Sequence, residues 1–323
     1  MNDHFLTYIN IERFKCFTHF SASDFKRVNL VTGKNNIGKT AFLEACYLNA
    51  GGKKIGYLVT AITVIKISRE NLNLILIEKT NMQYLLQNLL SAMREYDVIS
   101  NLRRQKFQVN DKNAVKEYMV EIDSEKVVIN ANQLAPFHLP VRLDNCVFID
   151  NFGSSSEDLA VLFQTIQQND REEELNRLVH EFDPNIEAFK VIGDKPQCKV
   201  NGQYLDMTEL GSGLSHYIAI ICALYACENG HLFIDELGNG IHYTQLDRLW
   251  EIILTVSKTT HCQVFAATHS KEMLESFARV TQQLNEQEIS YTTLVKNKRQ
   301  EIKALTLDYE LLLDSLEQDH EIR

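Results

Sequence analysis

Residues 5–14 and 27–32 carry the β-branched and aromatic side chains of strands, and 39–50 follows as a helix, so the chain opens as strand, glycine-containing loop and helix. From 51 to 139 the pattern changes. A Gly-Gly break leads into a mixed stretch up to Lys79, of which 57–77 matches no single period, and then into an amphipathic helix around 82–95. Alternation at 107–109 and 118–122, with 126–129, predicts a small antiparallel sheet. After Pro140 strands and helices alternate again: a strand over 141–149, one or two helices over 156–182 stopped by Asp183-Pro184, and an apolar helix over 216–227. Short apolar strands at 232–234 and 264–267 then flank a helix over 243–257. Such alternation predicts an α/β fold, a mostly parallel sheet flanked by helices, with a small antiparallel part and a helical insertion. Residues 1–323 form one head on this reading, with 51–140 as an inserted helical and antiparallel subdomain. No sustained heptad is present, which excludes long coiled-coil arms.

Composition changes this picture little. At 45% hydrophobic and 24% charged, the 323 residues read as a soluble globular protein with ample core. The N-terminus lacks a charged-then-apolar signal pattern, and the apolar stretch 57–67 is too short to span a bilayer, so no membrane is implied and the cytoplasm is the expected location. Seven cysteines without a C-x-x-C pair read as scattered core thiols. Net charge is −10, so DNA as a partner would need a local basic groove, for which Arg103-Arg104-Gln105-Lys106 and residues 296–299 are the candidates.

Chemistry concentrates in a few segments. Gly33-Lys34-Asn35-Asn36-Ile37-Gly38-Lys39-Thr40 matches G-x-x-x-x-G-K-[ST] at every fixed position, between a predicted strand and a predicted helix. In that context backbone N–H groups curl around the β-phosphate of a nucleotide, Lys39 reaches the β- and γ-phosphates, and the Thr40 hydroxyl ligates Mg²⁺. Downstream, the apolar strand ending in Asp235-Glu236 supplies two acids, Asp235 for Mg²⁺ and Glu236 to polarise the attacking water. A second strand runs into Ala267-Thr268-His269-Ser270 and would bring His269 beside the γ-phosphate, because ligands of open parallel sheets lie over the strands' carboxyl ends. Glu209-Leu210-Gly211-Ser212-Gly213-Leu214-Ser215 precedes an apolar helix and is either a second anion site or a tight connecting loop.

The order of these parts, with Gly238-Asn239-Gly240-Ile241-His242 after the acidic pair, resembles the ABC-type ATPases of the RecF, SMC and OLD (overcoming lysogenisation defect) group, and most closely their small stand-alone bacterial relatives that lack the Toprim nuclease domain. The resemblance covers residues 1–50 and most of 141–323. It implies a P-loop ATPase head that buries ATP in a homodimer or higher homo-oligomer, one subunit's phosphate loop facing the other's signature turn. Carried over, Lys39 and Thr40 bind phosphate and Mg²⁺, Asp235 is the metal-side acid, Glu236 the catalytic base and His269 the switch histidine. Gly211, Ser212 and Gly213 form the signature, and 237–242 is the D-loop crossing the interface. The usual signature is Leu-Ser-Gly-Gly, whereas here Leu210 precedes Gly-Ser-Gly, so its serine is displaced by one position or replaced by glycine N–H groups. No Q-loop glutamine follows the strand at 147–149, where Asn151 is the stand-in.

Two function classes follow from that resemblance. One is an ATP-hydrolysing sensor or motor for a separate effector protein, a nuclease or toxin, in anti-phage defence or DNA surveillance. No metal-binding acid cluster follows His269, so the nuclease is expected on another chain. The alternative is a RecF-like repair ATPase that binds DNA directly, or a protein using ATP only as structural glue.

Overall fold

The computed structural model describes residues 4–70, 94–112, 115–130, 143–307 and 309–311. Strand β3 (Val28–Gly33) is buried along its whole length, as a central parallel strand covered on both faces must be. Around it the main sheet runs β15 (Ile302–Leu307), β14 (Ile289–Lys296), β3, β13 (Gln263–Ala267), β12 (His231–Ile234), β8 (Cys146–Ile149), with β15 the antiparallel edge and every other pairing parallel. The carboxyl ends of β3, β12 and β13 therefore sit side by side, with β13 in the middle.

Period-two alternation divides the apolar strand residues between two cores. Leu232, Ile234, Val264 and Ala266 face one core, built with helices Ser156–Gln168, Glu172–Phe182, Ser212–Ala226, Leu246–Thr260 and Lys271–Gln283. Phe233, Phe265 and Ala267 face the other, with helix Lys39–Gly51 and the start of helix Ile55–Glu70. Phe233 and Phe265 stack at 5.4 Å, and Tyr47 of the first helix meets Phe233 edge-on at 5.8 Å. That aromatic seam fixes the helix that carries Lys39 and Thr40 onto the sheet.

The second core is closed by an antiparallel sheet ordered β2 (Phe20–Ser23), β1 (Tyr8–Arg13), β4 (Tyr96–Ser100), β5 (Arg104–Lys112), β6 (Val115–Ile122), β7 (Glu125–Asn130). The alternation at 107–109, 118–122 and 126–129 lies in β5 to β7, and Phe107 stacks between Tyr96 and Tyr118 at 5.9 and 6.0 Å. These strands continue the sheet begun by β1 and β2. Two elements depart from the sequence expectation: the apolar helix begins at Ser212 rather than 216, and the strand at 141–149 narrows to β8 among the described residues; residues 57–70, which match no single period, lie in a helix. A three-stranded sheet, β9 (Ile186–Ile192), β10 (Lys195–Val200) and β11 (Gln203–Asp206), and the β14–β15 hairpin were not foreseen. Most of the amphipathic helix at 82–95 lies outside the described residues.

The basic run at 103–106 is divided between the turn that ends at Arg103 and the first residues of β5. Gln105 turns inward and donates to the carbonyls of Leu48 and Gly52, and burial lowers the Arg103 pKa. Arg104 turns outward and pairs with Asp97 at 3.1 Å. No continuous phosphate track remains there.

At the amino end of β12 burial holds His231 neutral, its pKa lowered to about 3, with His4, Lys53 and Arg103 pushing the same way. Its Nε2 is buried without a hydrogen-bond partner. The unfolded chain takes up a proton near pH 6.5 that the folded chain refuses, so stability falls as pH drops below that value. Between pH 7.5 and 5 this group costs about 2 kcal/mol. His231→Phe should lose that much less over the same interval, measured by urea midpoints at both pH values. Equal losses in variant and parent would contradict the burial argument.

Candidate active site

The phosphate loop is built by a strand that stops and a helix that starts. After β3 the backbone turns through Asn36 at φ 60° and Gly38 at φ 117°, and the helix begins at Lys39. Gly38 has no room for a side chain, since a Cβ there would lie 2.8 Å from Cys16 Sγ and 3.2 Å from the Phe17 ring. The β1–β2 connection thus presses on the loop, and Lys15 within it pairs with the buried Glu44 of the helix. Lys39 is buried and folds over the loop, its Nζ donating to the Gly33 carbonyl at 3.0 Å. A desolvated cation at the positive end of a helix is an anion site.

Asp235 follows β12, anchored by its N–H on the Ile149 carbonyl at 2.8 Å. The Thr40 hydroxyl donates to Asp235 Oδ2 at 2.7 Å, while Oδ1 is buried with no partner. Burial raises the Asp235 pKa, and the Thr40 hydrogen bond opposes that shift. A buried carboxylate oxygen left open beside a serine-type hydroxyl fits a Mg²⁺ ion, held directly or through water.

Glu236 adopts the left-handed conformation, φ 53°, uncommon for a residue with a side chain and concentrated at functional sites. Its backbone is latched to the neighbouring strand, the Leu237 N–H donating to the Ala267 carbonyl at 2.9 Å. Glu236 Oε2 lies 2.7 Å from His269 Nδ1, and Oε1 lies 4.0 Å from Lys39 Nζ. His269 is in turn placed by its neighbours: the Thr268 N–H bonds the Val31 carbonyl at 3.0 Å, and Ser270 caps the following helix. Three separate stretches of sequence, 33–40, 235–236 and 269, therefore meet at one point over the carboxyl ends of the strands.

The signature residues lie elsewhere on that surface. Gly211 and Ser212 are exposed at the start of helix Ser212–Ala226, and Gly213 packs on the D-loop, where a Cβ would lie 2.1 Å from the Gly240 carbonyl oxygen. Gly213 is thus required by close packing, whatever else it does. Asn151, the stand-in for a Q-loop residue, accepts at its carbonyl from Asn239 Nδ2 at 2.6 Å, tying the segment after β8 to the D-loop. Two contributors escaped the sequence reading, Lys15 with Glu44 and the buried His216, which sits under Gly153 with its Nδ1 3.6 Å from a Cβ placed there. Only a β1–β2 turn read against the phosphate loop would have exposed the first.

A family model described as an AAA ATPase domain matches residues 57–274, two thirds of the chain. The chain belongs to the AAA ATPase domain family. It binds and hydrolyses ATP, and the match begins after the phosphate loop, so the loop is evidence independent of it. A Helicobacter pylori protein named ATP/GTP phosphatase is 23% identical over 327 residues, covering 84% of this chain and 87% of the relative. Among solved structures this ATPase resembles an SMC head bound to the C-terminal winged-helix domain of ScpA, with TM-score 0.53 and 10% identity, covering 95% of this chain and 99% of that one. An SMC head with extended coiled coil from Pyrococcus furiosus, bound to the C-terminal domain of ScpA, matches equally well: TM-score 0.53, 10% identity, 97% and 99% covered. At such identities the likeness is one of fold, an α/β P-loop ATPase like the SMC heads. Among the described residues no helix is long and apolar enough to cross a membrane.

Proposed function

We propose that this ATPase closes as an ATP-bridged homodimer and serves as the sensor or motor for a separate effector, in the OLD-like manner, in bacterial anti-phage defence or DNA surveillance. The observation that carries the catalytic half is the convergence of Lys39, Thr40–Asp235 and Glu236–His269 on one point. Lys39 and the loop N–H groups hold the phosphates. Thr40 and Asp235 would hold Mg²⁺, which would supply neutralisation of phosphate charge. Glu236 takes the proton of a water as its oxygen bonds to the γ-phosphorus and the bond to the β–γ bridging oxygen breaks, leaving ADP and phosphate. His269 orients that carboxylate through the 2.7 Å contact.

The dimer half rests on what the site exposes. The His269 side chain is 57% exposed, so one flank of the γ-phosphate position is open, while Gly211 and Ser212 display an uncovered helix N-terminus on the same molecule. Two copies related by a two-fold axis would satisfy both needs at once. The effector is proposed by analogy with the fold neighbours, SMC heads bound to a domain of ScpA, and with the order of motifs. Direct DNA binding is less favoured, because Arg103 is partly buried and Arg104 is paired. The test is mass by light scattering with a non-hydrolysable ATP or GTP analogue, in parent and in Ser212→Glu. The parent should double in mass and Ser212→Glu should not, since a carboxylate would then face phosphate. A parent that stays at the mass of one chain at every concentration would reduce the reading to a monomeric P-loop ATPase.

A further inference from the structure

Two large side chains stand out from the surface without neighbours to cover them: Phe152 is 70% exposed and Tyr243 is 69% exposed, more than any other large apolar residue described. Each is held outward by its own turn. The Phe152 N–H donates to Asp150 Oδ1 at 2.8 Å and the Gly153 N–H to the Asp150 carbonyl at 3.1 Å, which presents the ring at the tip. Tyr243 opens the short 3₁₀ turn Tyr243–Gln245, its ring 4.4 Å from that of His242. Both flank the D-loop. Asn239 ties that loop to Asn151, beside Phe152, and Gly240 packs on Gly213 of the signature turn, so the two rings and the signature turn belong to one continuous platform beside Glu236.

The stretches that build the platform carry no charge of their own. No Asp, Glu, Lys or Arg occurs from 151 to 156, from 210 to 215 or from 237 to 246, in a chain that is 24% charged and carries a net −10. Two copies of so acidic a protein repel one another over most of their surface, and an uncharged face is where they meet without that cost. Exposed aromatics in an uncharged setting are the residue types that anchor self-complementary interfaces. We propose that Phe152 and Tyr243 are the apolar anchors of the ATP-bridged dimer, each buried against the same platform of a second copy of this chain. This rests on the dimer reading above and adds to it the residues that stabilise the pair outside the nucleotide.

The experiment combines Phe152→Ser and Tyr243→Ser in the Glu236→Gln background, where ATP persists, and follows dimerisation by sedimentation at several protein concentrations, with ATP affinity of the separated chains by calorimetry. The anchors predict a dimer dissociation constant raised at least tenfold, with ATP affinity of the single chain retained. If Glu236→Gln dimerises with ATP and the triple variant dimerises as tightly, the anchor assignment is overturned and the dimer stands. If Glu236→Gln stays monomeric with ATP, both fall. Should the triple variant misfold, a photoreactive benzoylphenylalanine at position 152 decides: an ATP-dependent crosslinked homodimer from purified chain supports the assignment, and its absence refutes it.

Discussion

Lys39→Ala is expected to bind MgATP at least about 100-fold more weakly than the parent while keeping its fold. Lys39 is the one side-chain cation buried inside the loop, and its Nζ already lies within 3.0 Å of a loop carbonyl and 4.0 Å of Glu236, at the centre of the site. Two charge-assisted hydrogen bonds to phosphate at about 1.5 kcal/mol or more each amount to roughly 3 kcal/mol, above two decades in affinity. Stability should change little, because the hydrogen bonds Lys39 makes within the chain go to carbonyls at the rim of the loop, and the helix that carries it is held by Tyr47 and Phe42 in the aromatic core. Calorimetric titration with MgATP gives the affinity, and thermal melting without nucleotide gives the stability. Undiminished affinity would remove the phosphate loop from the nucleotide site. A collapse in melting temperature of the nucleotide-free protein would assign Lys39 to the fold instead.

Much of the site was legible because its chemistry is local. The phosphate loop, the acidic pair after an apolar strand and the histidine after another are each contiguous, and the rule that ligands lie over the carboxyl ends of parallel strands brings them together before any coordinates are known. The main sheet followed for the same reason, since buried strands such as β12 and β13 are short apolar runs between helices. What stayed hidden depends on long-range pairing. The 20–23 strand alternates as Phe-Ser-Ala-Ser but is only four residues long, too short for its period to stand out, and it exists because Tyr8 to Ile11 lie beside it. The β9–β11 sheet is interspersed with Lys190, Lys195, Lys199, Gln197 and Gln203 and is half exposed, so its hydrophobic period is weak. The helix at 212–226 was placed four residues late because Gly211 to Gly213 read as loop, whereas Gly213 is inside the helix for the sake of its contact with Gly240. The cations at 103 and 104 read as one patch in sequence, but Arg103 sits in the turn before β5, where burial lowers its pKa, and Arg104 opens the strand and pairs with Asp97.

Glu236→Gln should cut phosphate release by about 10²- to 10⁴-fold, the usual worth of a positioned general base, while leaving MgATP affinity intact or higher. The substitution keeps shape and volume, so the left-handed backbone at 236 and its latch to Ala267 are undisturbed. It removes the proton acceptor and also the negative charge 4.0 Å from Lys39 Nζ, which frees that cation for phosphate. Binding and turnover should therefore separate, a result that damage to the fold would not produce. His269 supplies a second check, since its contact with Glu236 Oε2 serves the carboxylate and not the phosphate: His269→Ala should lower turnover in the parent and add little in the Glu236→Gln background, because residues that act as a unit are not additive. If hydrolysis of ATP is the step that opens the dimer, the slow variant accumulates closed and its mass under ATP doubles, while the parent returns to single chains as ATP is consumed. Turnover near the parental rate in Glu236→Gln would move the base to another residue and leave Glu236 as a structural neighbour of Asp235.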